Sequence, residues 1–169
     1  GAEAAAGELR RNRDLLQAVL DNVPARISVK DRDGRYVLIN QFGLEMWGLP
    51  ADRVLGRRMD EFLPGHAPEA EHRDRAKQVA ERDERVFRTG DPMLYVQDSS
   101  NDRSGDRVDL LTSKIPLRDA DGNVSSLLSV SIDVTQQKRA ESRAAAAAEE
   151  LARNRDMLRA VIDNVPASI

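Results

Sequence analysis

The chain has 169 residues, of which 40% are hydrophobic and 33% are charged, and its formal net charge is −3. This composition is typical of one globular domain with charged extensions. The small negative charge offers no basic field, so we expect no nucleic-acid partner. Because the chain has no cysteine, disulfides, thiolate metal sites and cysteine nucleophiles are excluded. No apolar run approaches the roughly 20 residues of a membrane-spanning helix, so we expect no membrane segment.

The chain opens on a predicted helix over residues 3–22, and part of this region is repeated near the other end. Residues 8–27 return at 150–169 with fifteen of twenty positions identical. A near-copy at that distance predicts tandem modules. We therefore expect residues 165–169 to begin a second module.

Both copies carry apolar residues at the a and d spacing of a coiled coil. An asparagine lies on the same stripe in each copy, where it lowers stability but can fix the register. The predicted dimer seam comprises Leu9, Asn12, Leu16 and Val19 in the first helix, and Ala144, Ala147, Leu151, Asn154 and Leu158 in the second. For the first helix, packing on its own domain is an equal alternative. For the second, we expect a parallel homodimer.

Between these helices the pattern predicts an α+β domain. Pro24 ends the first helix. Strands are predicted over 26–30, 35–40, 93–99, 107–117 and 124–134, with Gly-terminated turns between neighbours. Short helical segments at 41–47, 50–55 and 59–63 and a longer helix at 69–89 fall in the middle of the chain. This order favours an antiparallel sheet with the helices on one face.

Six short stretches resemble PAS (Per-Arnt-Sim) domains and occur in that family's order. They are Val23–Pro24, Asp31–Asn40, Leu55–Arg57, Arg88–Gly90, Pro116–Gly122 and Asp133–Thr135. The resemblance implies a PAS fold with a five-stranded antiparallel sheet, short helices on one face and coiled-coil helices at both ends. It implies a linker helix at 1–23, the PAS domain at 24–135, a second linker helix at 136–164 and a truncated repeat at 165–169.

The resemblance also implies a role, that of a cytoplasmic, non-catalytic sensor in a two-component histidine kinase, a diguanylate cyclase or a related regulator. Blue-light (LOV) members of the family provide a register for the pocket. Their photoactive cysteine falls on Met59, and their flavin amides fall on Ser100, Leu110 and Ser131. Flavin-adduct chemistry is therefore excluded, and flavin binding in that style is disfavoured.

Haem is the other cofactor of the family to weigh. His66 lies in a Pro/Gly loop, and His72 is predicted to be a solvated surface histidine. The helix position that ligates iron in the kinase oxygen sensors falls near Val79. We therefore expect no cofactor and no metal, and the open alternative is an unknown small molecule in the pocket, a metabolite in preference to haem or flavin.

The same register predicts which side chains face the pocket. They are Trp47, Met59 and Phe62 on the helical side and Leu110, Thr112, Leu127, Ser129 and Ser131 on the sheet. One interpretation is a core that fills itself. The other is a ligand pocket, favoured by two serines where a core prefers apolar groups. Serine can also bond nearby backbone carbonyls, so both interpretations stay open.

The last strand runs into the second helix through Asp133–Val134–Thr135. Thr135 is predicted to cap the helix, and Asp133 to hold a cation, with Arg26, Lys30 and Lys114 as candidates. No catalytic constellation is visible, so we expect no enzyme activity. The predicted function is a signal-transducing module that relays pocket or partner state through this junction to a downstream domain. The alternatives are a small-molecule receptor and a purely structural dimerisation spacer.

Overall fold

The computed structural model describes residues 1–62 and 68–166, and its elements follow the predicted order. The first half contains α1 (Ala2–Asn22), β1 (Arg26–Asp31), β2 (Tyr36–Ile39), α2 (Gln41–Trp47), α3 (Ala51–Val54) and a 3₁₀ turn (Met59–Glu61). The second half contains α4 (Glu69–Thr89), β3 (Met93–Asn101), β4 (Arg107–Arg118), β5 (Val124–Asp133) and α5 (Thr135–Asp163).

The five strands form one antiparallel sheet in the order β2-β1-β5-β4-β3. The predicted five-stranded sheet is therefore confirmed. Strand β5 lies at the centre, where Ser129 pairs with Ser28 of β1 and Ser131 pairs with Thr112 of β4. The last strand in the sequence thus lies between the first strand and the fourth.

The hairpin turns share one chemistry, in which an aspartate closes the turn. The Asp31 carboxylate accepts backbone N–H bonds from Asp33 and Arg35 at 2.9 and 3.0 Å. Gly34 of this turn has a φ of 78°, a left-handed conformation that favours glycine. Asp119 accepts the equivalent bonds in the β4–β5 turn. The Asp-x-Asp pairs are therefore turn formers, as their sequence context predicts.

The apolar core lies between the sheet and the central helices. Rings of Tyr36, Trp47 and Phe62 contact one another with centroids 5.6–5.8 Å apart. Val54 and Met59 are buried in the same cluster. Helix α4 contacts β4 and β5, so it closes the interior on the helical side.

Strand β3 forms one edge of the sheet and is irregular near its start. Its register with β4 shifts between Met93 and Val96. Tyr95 has a φ of 54°, and its N–H donates to Ser113 Oγ at 3.1 Å. The edge therefore carries a bulge instead of a regular ladder.

Helix α1 is joined to the domain at its C-terminal end. Asn40 Nδ2 donates to the Leu20 carbonyl at 2.7 Å, and Gln41 N donates to the Asp21 carboxylate at 2.8 Å. None of the residues of α1 is buried, and Leu9 of the predicted seam is 72% exposed. Its apolar stripe is therefore not covered by the unit to which it belongs.

The chain divides into two compact units, Gly1–Asp133 and Val134–Ile169. The second contains α5, which runs for 29 residues. Leu151 and Leu158 of the predicted seam are 70% and 62% exposed. Among the described residues, no helix has both the length and the apolar character needed to span a bilayer.

Candidate ligand site between the sheet and helix α4

The inner face of the sheet is polar and charged at its centre. Alternate residues of a strand face the same side, and the buried inner positions are Arg26, Ser28 and Lys30 of β1, Leu110, Thr112 and Lys114 of β4, and Leu127, Ser129 and Ser131 of β5. The sequence-based pocket includes the β5 residues and two from β4. It lacks Lys114 and all three from β1.

Asp83 of α4 connects the helix to two strands. Its carboxylate accepts from Lys30 Nζ at 2.7 Å and from Lys114 Nζ, and all three side chains are buried. Burial alone would lower the pKa of Lys30, but Tyr36 and Asp83 outweigh it and raise that pKa above its usual value. Burial lowers the pKa of Lys114 despite the attraction of Asp83. The pKa values of the two lysines therefore shift in opposite directions, although both ammonium groups bond the same carboxylate.

Arg26 is buried beside this triad, and its hydrogen-bond and ring partners are neutral groups, although the Asp98 carboxylate attracts it from a distance. One guanidinium nitrogen donates to Ser131 Oγ at 3.2 Å, and the guanidinium lies 4.8 Å from the centre of the Trp47 ring. Burial lowers the pKa of Arg26 to about 10, which leaves it protonated at neutral pH. Ser131 Oγ is also 2.9 Å from Thr112 Oγ1. A positive charge thus sits at the inner face of β1.

A second carboxylate, Asp98 of β3, is shared by two arginines of α4. Arg75 and Arg82 approach it at 3.6 and 3.3 Å. Burial lowers the pKa of Arg75, and Asp98 offsets part of this effect. Helix α4 is therefore held to the sheet by ion pairs at both Asp83 and Asp98.

These side chains enclose a cavity of about 20 Å³, which is room for about one water molecule. Of the eight predicted pocket residues, five line it: Trp47, Met59, Thr112, Ser129 and Ser131. Phe62 instead packs in the apolar cluster, and Leu110 and Leu127 are fully buried. Side chains nearly fill the interior, and many of them are charged.

A larger cleft of about 390 Å³ opens between the β1–β2 turn and α4. Its lining includes Gly34 of the turn and Phe87 of the helix. Lys30, Met59 and Val79 line both this cleft and the inner cavity. Three side chains therefore separate the cavity from an open cleft.

The chain has two histidines, and the structure describes one of them. His72 is buried, and its Nε2 lies 3.0 Å from the Met59 carbonyl oxygen, so the prediction of a solvated surface histidine is wrong. The burial arises because the first turn of α4 packs on the 3₁₀ turn. His66 lies outside the described residues. No group of His, Cys, Asp or Glu residues suited to a metal ion occurs in the described part of the chain.

The junction also departs from the prediction. Helix α5 begins at Thr135, and Val134 occupies the N-cap position. The predicted capping role of Thr135 is therefore wrong, because the residue lies one position too far into the helix. The cations proposed for Asp133 have other partners, since Lys30 and Lys114 bond Asp83, and Arg26 bonds Ser131.

Comparison with known proteins places this geometry in a family. The family model described as "PAS fold" matches residues 20–139. The methanogenesis regulatory histidine kinase FilI of Methanothrix harundinacea (strain 6Ac) is 28% identical over 166 residues. The match covers 92% of this chain but only 18% of the kinase, so the chain spans a small part of its relative. This similarity supports a role in signalling.

Solved structures show the same fold. The VqmA–ligand–DNA complex of Vibrio cholerae has a TM-score of 0.60 and 26% identity, over 72% of this chain and 51% of that one. The PAS domain of BvgS from Bordetella pertussis has a TM-score of 0.50 and 20% identity, over 82% of this chain and 98% of that one.

One prediction is overturned by this comparison. The small negative net charge predicts no nucleic-acid partner, yet VqmA is bound to DNA in the complex. The exclusion is wrong, because net charge describes only the average field of a chain and not what a protein with this fold can engage.

The matched residues, the five-stranded sheet and the site between sheet and helices agree, and the chain belongs to the PAS family.

Proposed function

We propose that this PAS domain is a non-catalytic sensory module that dimerises through its flanking helices and relays the state of its interior to a downstream domain. The observation that supports it most is the path of β5. Ser129 and Ser131 of this strand line the inner cavity, and after Val134 the chain continues as α5. A displacement of β5 at the cavity is therefore transmitted along the backbone to the first turn of a long helix.

Dimerisation is supported by the exposed apolar stripe of α5. Leu151 and Leu158 lie seven residues apart on a 29-residue helix and are mostly exposed. Asn154 lies between them on the same stripe, where it would fix the register of two helices. A second copy of the same helix would cover this stripe, since coiled-coil seams match at a seven-residue spacing.

The start of α5 is suited to being shifted between two arrangements by a small change in free energy. Val134 at the N-cap position has no side-chain acceptor, whereas a capping Ser, Thr, Asp or Asn contributes about 1 kcal/mol. A helix start without that stabilisation can be shifted between two arrangements by a comparably small change in the strand. Asp133 and Thr135 on either side of Val134 are the residues that we propose to set the balance.

The output belongs to another part of a longer signalling protein in this proposal. The similarity to a histidine kinase, of which the chain spans 18%, is what supports a two-component role. A cytoplasmic location is part of the same proposal and rests on the family resemblance.

Single-cysteine cross-linking tests the dimer, because the chain has no cysteine of its own. A disulfide needs Cα atoms within about 7 Å. Under mild oxidation, Ala144→Cys and Ala147→Cys on the seam should give covalent dimers, whereas Ala146→Cys on the opposite face should not. Equal yields at all three positions, or none at the seam, would contradict the proposed interface.

The relay is tested by adding Asp133→Ala with Thr135→Ala to the same cysteine variants. If the junction sets the position of α5, the ratio of cross-linking rates at 144 and 147 should change. Ser125→Ala, at the far end of β5, is the matched control and should leave the ratio unchanged. A constant ratio in a folded double variant would contradict the relay and would favour a purely structural spacer.

A second candidate function is that of a small-molecule receptor, favoured by the polar cavity and by the ligand in the VqmA complex. An absorbance spectrum and native mass spectrometry of the purified chain test it. A coloured protein or an added mass supports the receptor, and a colourless chain of 18.8 kDa per copy counts against it. Because VqmA also holds DNA, fluorescence anisotropy with a labelled duplex tests nucleic acid as a partner of this candidate.

A further inference from the structure

The lining of the inner cavity has an excess of positive charge. Among the described residues it contains four cationic side chains and one carboxylate, that of Asp98. The cations are Arg26, Lys30, Arg75 and Lys114. Even when Asp83 behind the two lysines is included, two positive charges remain without a carboxylate to match them. Burying unmatched charge is unfavourable, so the site is suited to an anion.

The same cavity collects unpaired hydrogen-bond donors. In the described part of the protein, three buried side-chain polar atoms have no hydrogen-bond partner: Trp47 Nε1, Arg75 Nε and Ser129 Oγ. All three residues line the inner cavity. An indole N–H and a guanidinium N–H can only donate, and a serine hydroxyl can donate. Three free donors around one small space need a hydrogen-bond acceptor. Neither a metal ion nor an apolar group can accept a hydrogen bond.

We propose that the inner cavity is a binding site for a small carboxylate anion, held by Arg26 and by the free donors of Trp47, Arg75 and Ser129. Arg26 is central because its hydrogen-bond and ring partners are neutral, and the nearby Asp98 carboxylate is already paired with Arg75 and Arg82, so its charge is available to the anion. A planar carboxylate accepts well from guanidinium groups. This inference rests on the receptor candidate above and specifies the class of ligand.

The size of the cavity limits the ligand. A space of about 20 Å³ holds about one water molecule, so only one- or two-carbon acids enter with small movements of the lining. Entry is from the outer cleft, past Lys30, Met59 and Val79, which line both spaces. Affinity should therefore fall in the order formate, acetate, propionate.

Trp47 provides a direct readout, because it is the single tryptophan of the chain and its ring is part of the cavity wall. Sodium formate, acetate and propionate are titrated at constant ionic strength, balanced with methanesulfonate, while tryptophan fluorescence is recorded. Saturable changes in the expected order support the proposal. A linear response to every salt, or tighter binding of larger acids, would overturn it. Sodium chloride is the comparison anion, and stronger binding of chloride would assign the site to an inorganic ion.

Two substitutions separate binding from folding. Arg26→Gln should weaken formate binding roughly tenfold or more, as expected for the loss of one charge-assisted hydrogen bond. Ser129→Ala removes a hydroxyl that has no partner, so it should weaken binding while the melting temperature stays within about 2 °C. Arg53→Gln on α3 is the control, because this arginine is exposed and lines neither the cavity nor the outer cleft. Binding unchanged in both cavity variants would refute the site. If native mass spectrometry then shows another bound mass, the receptor candidate stands and the carboxylate assignment fails.

Discussion

At the scale of single residues, the Asp83 carboxylate joins three elements. It receives Lys30 from β1 and Lys114 from β4 in a region where all three side chains are at most 8% exposed. Because two cations share one carboxylate, one positive charge is in excess, and in this buried region water does not screen it. The stability of the helix–sheet contact therefore depends on an ionic group where most small domains place an aliphatic one.

Asp83→Asn should destabilise the domain by about 3–5 kcal/mol, because it leaves two buried ammonium groups without a counter-charge. Urea denaturation followed by circular dichroism measures the change. Glu84→Gln, the exposed neighbour on the same helix, should change stability by less than about 0.5 kcal/mol. A loss for Asp83→Asn no larger than that of the control would show that the lysines are neutral or solvated in the folded state.

Part of this site was predictable and part was not. Alternation predicts that Ser129 and Ser131 share one face of β5, and the register taken from the LOV resemblance turns that face inward. The same alternation in β1 places Arg26 and Lys30 on the face opposite Ile27. Alternation cannot predict which residue pairs with Lys30. Asp83 lies 53 residues from Lys30 along the chain, and charged residues on a polar helix ordinarily face water.

At the scale of elements, Asn40 connects α1, β1 and α2. Its Oδ1 accepts from Ile27 N at 3.0 Å and from Gly43 N at 3.1 Å, which caps α2. Its Nδ2 donates to the carbonyls of Leu20 and Ala25 at 2.7 and 2.8 Å. All four hydrogen-bonding positions of the amide are thus used, and the residue is fully buried.

Asn40→Ala should cost about 2–4 kcal/mol, since it removes a helix cap and leaves backbone groups buried without partners. Asn40→Asp is the informative second variant, because it keeps the two acceptor bonds and loses the two donor bonds. We expect it to be no more stable than Asn40→Ala in chemical denaturation at pH 7, because the oxygen that replaces Nδ2 is a buried, charged acceptor facing two carbonyl oxygens. If Asn40→Ala were as stable as wild type, water would have to replace the amide at all four positions.

The elements themselves followed closely from the sequence. Asp-x-Asp-Gly turns have a local cause, so the hairpins could be located without any tertiary information. Two local predictions fail. Threonine favours the cap position, which predicts Thr135 there, but the helix begins with this residue. The sequence also contains no local sign that the first turn of α4 packs on the 3₁₀ turn and so buries His72.

At the scale of the whole molecule, the repeated helix is the feature that reaches beyond one domain. The copy at 150–169 keeps the stripe of the first copy, and Leu16 and Leu158 are 63% and 62% exposed. Both stripes are therefore open in a single chain. The repeat can be found in the sequence without any knowledge of contacts, and the tandem modules that it indicates stay a prediction. It could not show whether a second chain covers the stripes.

Light scattering of the intact chain should give about twice 18.8 kDa. Leu151→Glu with Leu158→Glu places charges on the seam and should reduce the mass to that of one chain. Ala145→Glu with Ala146→Glu adds the same charge away from the seam and should leave the dimer intact. A dimer that survives the leucine substitutions, or is lost equally in the control, would locate the interface elsewhere.

The bulge at Tyr95 has a consequence for such an assembly. Pairing two chains by their helices brings their sheets to a high local concentration, and a straight, open edge strand is a template for intermolecular β-pairing. In β3 the left-handed residue interrupts that edge, and its N–H is already bonded to Ser113 Oγ. In the assembly proposed above, the irregular start of β3 would make one of the two sheet edges a poorer template for intermolecular pairing while leaving the helices free to associate.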